Sequence, residues 1–423
     1  MEINNQERDI LRRLAERIAK IASLPVHEEK KRLWRALNGL KPEQPMVAID
    51  QVCWNEMNID DKLTLRCQGP ECRSYEEKFR RVLFQWEYFP VDMVVEPFIR
   101  VPMAIEPFNQ DPLAAQNRIF GVAIKEETLA TDAANNIVSP NYENQFQTIE
   151  DVEKIKMPVV KHDTAETKRR MDMAAWLFEG IMPLRAEGWF DHYLSVWDPV
   201  AVWMSVEGIL YALIDEPEMI HALVSHVVEG YMMMLEQLEE QSLVYSGENL
   251  IHCTGAFIDD LPSPDFDPEK PKTRDVWMYA MAQVFATISP AMFEEYEIDQ
   301  LMPLFWRFGL VYYGCCDPLE DKMRAVKRIP NLRKISASPW ADREKCVEQI
   351  GSDYVVSNKP NPAFVAGSAF NEEQVREDIE KTKEICGRTR SPLEFILKDI
   401  STVRREPLRL KQWGETAMKV ACG

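Results

Sequence analysis

A (β/α)8 barrel with an N-terminal helical extension is the fold this sequence predicts, and three observations lead to it. Apolar runs rich in β-branched and aromatic residues recur at 310–313, 332–338, 353–357 and 393–397. Each stops at polar residues, and the segments between them have helical apolar spacing. The crossovers have the length that parallel strands require. Four βα units in a row make half of an eight-stranded barrel, a fold that gathers its chemistry at the carboxyl ends of the strands.

Residues 1–44 read as the extension. Ile10, Leu11, Leu14 and Ile18 share one helical face, and a second helix carries Leu33, Trp34 and Leu37 before Gly39. Those faces would cover one end of the barrel or a second copy of the chain in a homodimer. The barrel occupies 45–423. Its first strand, 46–50, ends in Asp50, Gln51, Trp54 and Glu56; a helix over 75–88 leads to a second strand, 92–95, ending at Glu96. Residues 101–150 form an Asn- and Pro-rich excursion, with a short strand over 119–124, of the kind that makes a lid. A helix over 164–178 precedes a third strand, 181–186, and an aromatic tract with Asp191, His192, Trp197 and Asp198. Helices over 202–213 and 217–238 lead to a fourth strand, 249–253, ending in His252 and Cys253. Further helices are expected over 277–286 and 290–308.

Composition narrows the function. The chain has 423 residues, 46% hydrophobic and 28% charged, as in an ordinary globular protein. A net charge of -19 argues against nucleic acid or an anionic membrane as partner, since both need a basic footprint. The amphipathic N-terminus does not resemble a signal peptide, so a cytoplasmic location is expected. Nine scattered cysteines are expected to be free thiols or metal ligands, and twenty methionines with eleven tryptophans fit an anaerobe.

The chemistry concentrates at the strand tips. Leu310 to Tyr313 runs into Gly314, Cys315, Cys316, Asp317 and Pro318. Side chains alternate along a strand, so only one of the two thiols should face the axis, and Cys316 is the one expected there. With His252 on a neighbouring strand, Cys315 and Cys316 form a candidate metal site, although neither pair has the CxxC spacing of a strong zinc signature. Glu56, Glu96 and Asp317 are the candidate general acids. Lys359 and Lys398 would bind an anionic group, and Gln51, Trp54, Tyr313 and Trp340 would offer polar and flat surfaces to a substrate. Capping, packing and surface ion pairs are the ordinary uses of each residue taken singly.

The stretches YGCCDPLEDKM, NLRKISASPWAD, DYVVSNKPNPA and EFILKDISTV resemble the uroporphyrinogen decarboxylase superfamily over most of residues 45–420. The resemblance implies a (β/α)8 barrel and either a decarboxylase or a corrinoid-linked methyltransferase. True decarboxylases carry an arginine-rich motif after the first strand, whereas this chain has IDQVCWNEM there. The coenzyme M branch holds zinc with a His-x-Cys and a late Cys; here Tyr313 to Cys316 lacks the histidine, and the last strand ends in Lys398 and Asp399. Those missing ligands tilt the expectation against zinc. The function expected is transfer of a methyl group from a small donor, a methoxylated aromatic or a methylamine-like molecule, to a corrinoid on a separate partner protein. The alternatives are a decarboxylase acting on a smaller acid and a non-catalytic accessory of a corrinoid protein.

Overall fold

A computed structural model describes residues 5–106, 118–127, 140–190, 192–247 and 250–423. Two amphipathic helices open the chain, α1 (Asn5–Ala22) and α2 (Val26–Asn38), and are followed by strand β1 (Met46–Ile49) and helix α3 (Pro70–Tyr88). Next come β2 (Ile99–Pro102), α4 (Thr164–Phe178), β3 (Leu184–Glu187), α5 (Trp197–Asp215) and α6 (Pro217–Glu240). A small hairpin, β4 (Leu250–Ile251) and β5 (Thr254–Gly255), precedes β6 (Trp277–Ala280) and β7 (Leu310–Tyr313). The remainder is β8 (Leu332–Ala337), α7 (Arg343–Ile350), β9 (Val355–Asn358), α8 (Glu372–Thr389), β10 (Leu393–Leu397) and α9 (Leu408–Cys422).

Six strands form one curled, wholly parallel sheet in the order β1-β10-β9-β8-β7-β6. Most of its side chains are buried on both faces, as expected of a parallel sheet covered by helices. Among the described residues, hydrogen bonding does not close this sheet into a ring. At one edge the Asp92 N–H donates to the Val47 carbonyl; at the other, Tyr193 bridges Tyr279 in parallel. The parallel pair β2–β3 and the β4–β5 hairpin belong to separate small sheets. The architecture is therefore an α/β half-barrel, coarser than the eight-stranded ring the sequence predicts.

The last four βα units lie where the sequence puts them, since their apolar runs are buried on both sides. Three other assignments need correction. Residues 277–280 are strand, not helix: all four are buried, and an aromatic tetrapeptide beside Leu310–Tyr313 gains more from the sheet than from a helical turn. The expected fourth strand is the β4–β5 hairpin. Its two turn residues, His252 and Cys253, have φ of 33° and 71°, the positive values a two-residue hairpin loop demands. Residues 92–95 are irregular, and the strand comes later, at Ile99–Pro102. At the excursion, Arg118–Ile119 and Val122–Ala123 make a short hairpin in place of one strand. Much of the expected lid (107–117 and 128–139) and Asp191 lie outside the described residues.

α2 closes the amino end of the sheet, where Trp34 and Leu37 pack on Met46 and Val355, the first residues of their strands. Gly255 is required there: a Cβ would lie 2.5 Å from the Trp34 ring. Among the described residues α5 alone is long and apolar enough to cross a membrane. Ser205, at φ 62° and ψ 159°, breaks it in two, and Trp197, Val200, Trp203, Met204 and Ile209 are buried in the protein.

Candidate active site

The carboxyl ends of β7 and β10 and the tip of the β4–β5 hairpin meet at one point. β7 stops at Tyr313 because Gly314 adopts a φ of +93°, and a Cβ there would come 2.6 Å from Leu319 and 3.1 Å from Ser336. That turn ends strand alternation, so both thiols enter the same cluster, with Cys315 and Cys316 sulfurs 3.6 Å apart. The expectation that only Cys316 faces the site rested on a strand continuing past Gly314. Cys315 is the more enclosed and the more central of the two.

Around Cys315 the groups are close. Lys398 Nζ donates to its sulfur at 2.7 Å and lies 3.0 Å from His252 Nε2, which is 3.8 Å from the same sulfur. The single S–H of Cys316 is shared between Asp399 Oδ2 at 3.1 Å and the Cys315 sulfur. A hydrogen bond from Cys316, aided by His252 and Lys398, lowers the Cys315 pKa despite burial, and the same contact raises that of Cys316. The pair is a thiolate at 315 beside a thiol at 316. Burial opposes the charge on Lys398, but Cys315, Cys253 and Asp399 together hold its ammonium above the usual pKa. Burial brings His252 down to about 4, and it is neutral. The His252 ring stacks flat on Tyr279, 3.7 Å between centroids and 7° between planes.

Beneath this cluster a second network fills the inside of the curled sheet. Lys359, fully enclosed, donates to Ser357 Oγ at 2.6 Å and also to the Tyr312 hydroxyl; burial lowers its pKa to about 8. Ser357 donates to Glu394 at 2.6 Å, and Glu394 pairs with Lys334 at 2.7 Å and accepts from Thr254 at 2.7 Å. Each buried charge thus has a partner of opposite sign or several hydrogen bonds.

The other candidates from the sequence are placed elsewhere. Glu56 accepts from the Arg405 and Val403 N–H groups and the Thr402 hydroxyl, which outweigh its partial burial and hold its carboxyl below the usual range. It ties the loop after β1 to the loop after β10. Glu96 precedes its strand instead of following it, so it lies toward the amino end, 3.3 Å from Lys31 of α2. Asp317 is buried below the turn and accepts the Cys315 N–H at 3.1 Å; burial raises its pKa. Tyr313 faces the helices, donating to Glu297 at 2.8 Å between Phe293 and Phe305, whereas Tyr312 faces the inside of the sheet. Trp340 is 67% exposed. Trp54 packs on Phe84 and Phe89, and Gln51 is exposed, its carbonyl accepting the Ile400 N–H.

Sequence reasoning missed Asp50 as a functional group. A cavity of about 460 Å³ opens between β1, α3 and residues 91–100, lined by rings including Trp34, Tyr75, Phe79, Phe98 and Phe190. Asp50 and Cys253 border it. The Asp50 carboxylate reaches solvent through this cavity, yet protein encloses it on most sides, and that enclosure raises its pKa against the Gln51 N–H, Cys253 and Lys398. Its place directly after an apolar strand was the available signal. Tyr279 and Tyr312 were hidden by register: one lay in an expected helix, and the other alternates with the tyrosine chosen.

No family model matches the chain, and no curated protein matches it. Among solved structures, a methyltransferase from Methanosarcina mazei superposes with a TM-score of 0.50 at 11% identity, covering 92% of this chain and 97% of that one. At that identity the likeness speaks for a shared fold.

Proposed function

We propose that the protein is a methyltransferase that removes the methyl group of an uncharged aryl methyl ether and passes it to a corrinoid carried by a separate protein. The single observation that carries this reading is the junction at Asp50 and Cys253, where an aromatic-lined cavity meets the Cys315–Lys398–His252 cluster. The methyltransferase fold of the solved neighbour and the sequence resemblance support it. The reading also takes the half-barrel as six strands of a (β/α)8 barrel, with β2 and β3 supplying the other two.

A phenolate leaves poorly unless its oxygen is protonated or bound to a Lewis acid. Asp50, its pKa raised by enclosure, is suited to hold a proton for that oxygen. The cavity seats the aromatic body. Of the acids along it, Glu96 pairs with Lys31 and Glu187 with Arg100, Asp92 accepts the Val47 N–H, and burial raises the pKa of Asp92 and Asp50, so it favours an uncharged donor over a methylammonium. Lys359 is committed to Tyr312 and Ser357 and Lys398 to the Cys315 sulfur, so neither lysine that the decarboxylase alternative would use for a substrate carboxylate is free.

The cysteine cluster has the donors for a soft divalent metal. Cys315, Cys316 and Asp399 place their ligand atoms within 4.8 Å of one another, with His252 3.8 Å from Cys315. Tetrahedral zinc with bonds of about 2.0–2.3 Å sets its donors at similar separations. Zinc held there would act as a Lewis acid toward the leaving oxygen. Lys398 would offset the excess negative charge of two thiolates and a carboxylate.

The test is anoxic incubation with cob(I)alamin, free or protein-bound, and either an uncharged methoxyphenol or trimethylamine, following the cobalt spectrum and the released phenol. The expected result is methyl-cobalt formation with stoichiometric phenol from the ether alone. Turnover of trimethylamine alone would remove the donor assignment, and no turnover of either would remove the function.

A further inference from the structure

Far along the outer wall, α1 and α3 frame a cleft of about 270 Å³ lined by Ile10, Arg13, Leu14, Arg17, Arg66 and Arg80. Four of its six residues are arginines, in a chain where Asp and Glu outnumber Lys and Arg by 69 to 50. Arg80 alone has a carboxylate partner, Glu76, at 2.7 Å. Among the described residues the side chains of Arg13, Arg17 and Arg66 make no ion pair or hydrogen bond. Three unneutralised guanidinium groups on one cleft, where acids are in excess, need a local cause.

The frame is built. Arg13 and Arg17 are one helical turn apart and share a face of α1. Arg66 is presented by a loop whose Arg66 and Cys67 N–H groups donate to the buried Glu76 carboxylate, both at 2.8 Å. Arg80 clamps that carboxylate and donates to the Lys62 carbonyl at 2.9 Å. An adjoining hollow of about 200 Å³ shares Arg17, Arg66 and Arg80 but adds Asp60 and Asp61 beside a paired Lys62 and Glu87, so negative charge limits how far an anion can extend.

From this we infer that the cleft between α1 and α3 is a binding site for a small, multiply charged oxyanion of the phosphate-ester or diphosphate kind, held by Arg13, Arg17 and Arg66 beside the fixed Arg80. Planar guanidinium groups match phosphate oxygens two at a time. The acidic border and the overall charge disfavour a polymer such as nucleic acid. The site is independent of the chemistry proposed above.

The experiment is calorimetric titration of the full chain with inorganic pyrophosphate at constant ionic strength, beside R17Q/R66Q and a poly-glutamate peptide. Both arginines are exposed, so the variant should keep its fold, checked by circular dichroism. The expected result is one saturable pyrophosphate site with a Kd of about 1 mM or tighter, weakened about tenfold or more in the variant. No saturable binding, or equal binding by the folded variant, would overturn the inference. So would binding of the peptide without binding of pyrophosphate, which would make the cleft a protein-docking surface.

Discussion

Lys398→Met removes the ammonium nearest the Cys315 sulfur while keeping much of the side chain's apolar bulk. At 2.7 Å the bare attraction between unit charges, with an effective dielectric near 20, is about 6 kcal/mol. Much of that offsets desolvation, and the net worth of a charge-assisted hydrogen bond is about 1.5–3 kcal/mol. At about 1.4 kcal/mol per pKa unit, the Cys315 thiol should rise by about one to two units. The assay is iodoacetamide alkylation against pH, with Cys315→Ser as the blank that isolates this thiol, and with ultraviolet thiolate absorbance as a second readout. The midpoint of the Cys315 thiolate absorbance, and with it the pH profile of alkylation, should move up by about one to two units in the variant. A Cys315 thiol that titrates at its ordinary value in the native protein, or that is unmoved in the variant, would refute the ion-pair account.

Three further outcomes are expected. If Asp50 supplies the proton, activity should fall as pH rises through its raised pKa; Asp50→Asn should lower kcat by about 10² or more and remove that alkaline limb, measured as phenol release against pH. Lys334→Met should cost about 3–5 kcal/mol in denaturant unfolding, because it leaves Glu394 charged in the core without its 2.7 Å partner, whereas Lys334→Met with Glu394→Leu should recover most of that loss. His252 is held neutral down to about pH 4 but takes a proton near 6.5 when unfolded, so the unfolded chain binds more protons between those values. Stability should therefore decline as pH falls from 6.5 to 4, by at most about 3 kcal/mol from this residue, and His252→Phe should flatten that part of the curve.

By itself the sequence determined the repeating βα half of the molecule and the position of its strand tips. In residues 310–401 each buried strand is a short apolar run bounded by polar residues, a signal that needs no distant partner to read. Cys315, Cys316 and Lys398 were visible as candidates for that reason, and the structure brings them together with His252. Tertiary structure alone decided what depends on pairing across long stretches of chain. Whether 277–280 is strand was set by its neighbour at 310–313, and a later start for β2 put Glu96 toward the opposite end from the thiols. The choice between Tyr312 and Tyr313 was one residue of register, which reverses the face on which every side chain lies. Asp50 reads in sequence as an ordinary exposed aspartate; only the cavity walls contributed by β1, α3 and the β4–β5 hairpin enclose it and raise its pKa. Local pattern records which residues seek burial, while enclosure and charge are properties of what the rest of the chain brings alongside them.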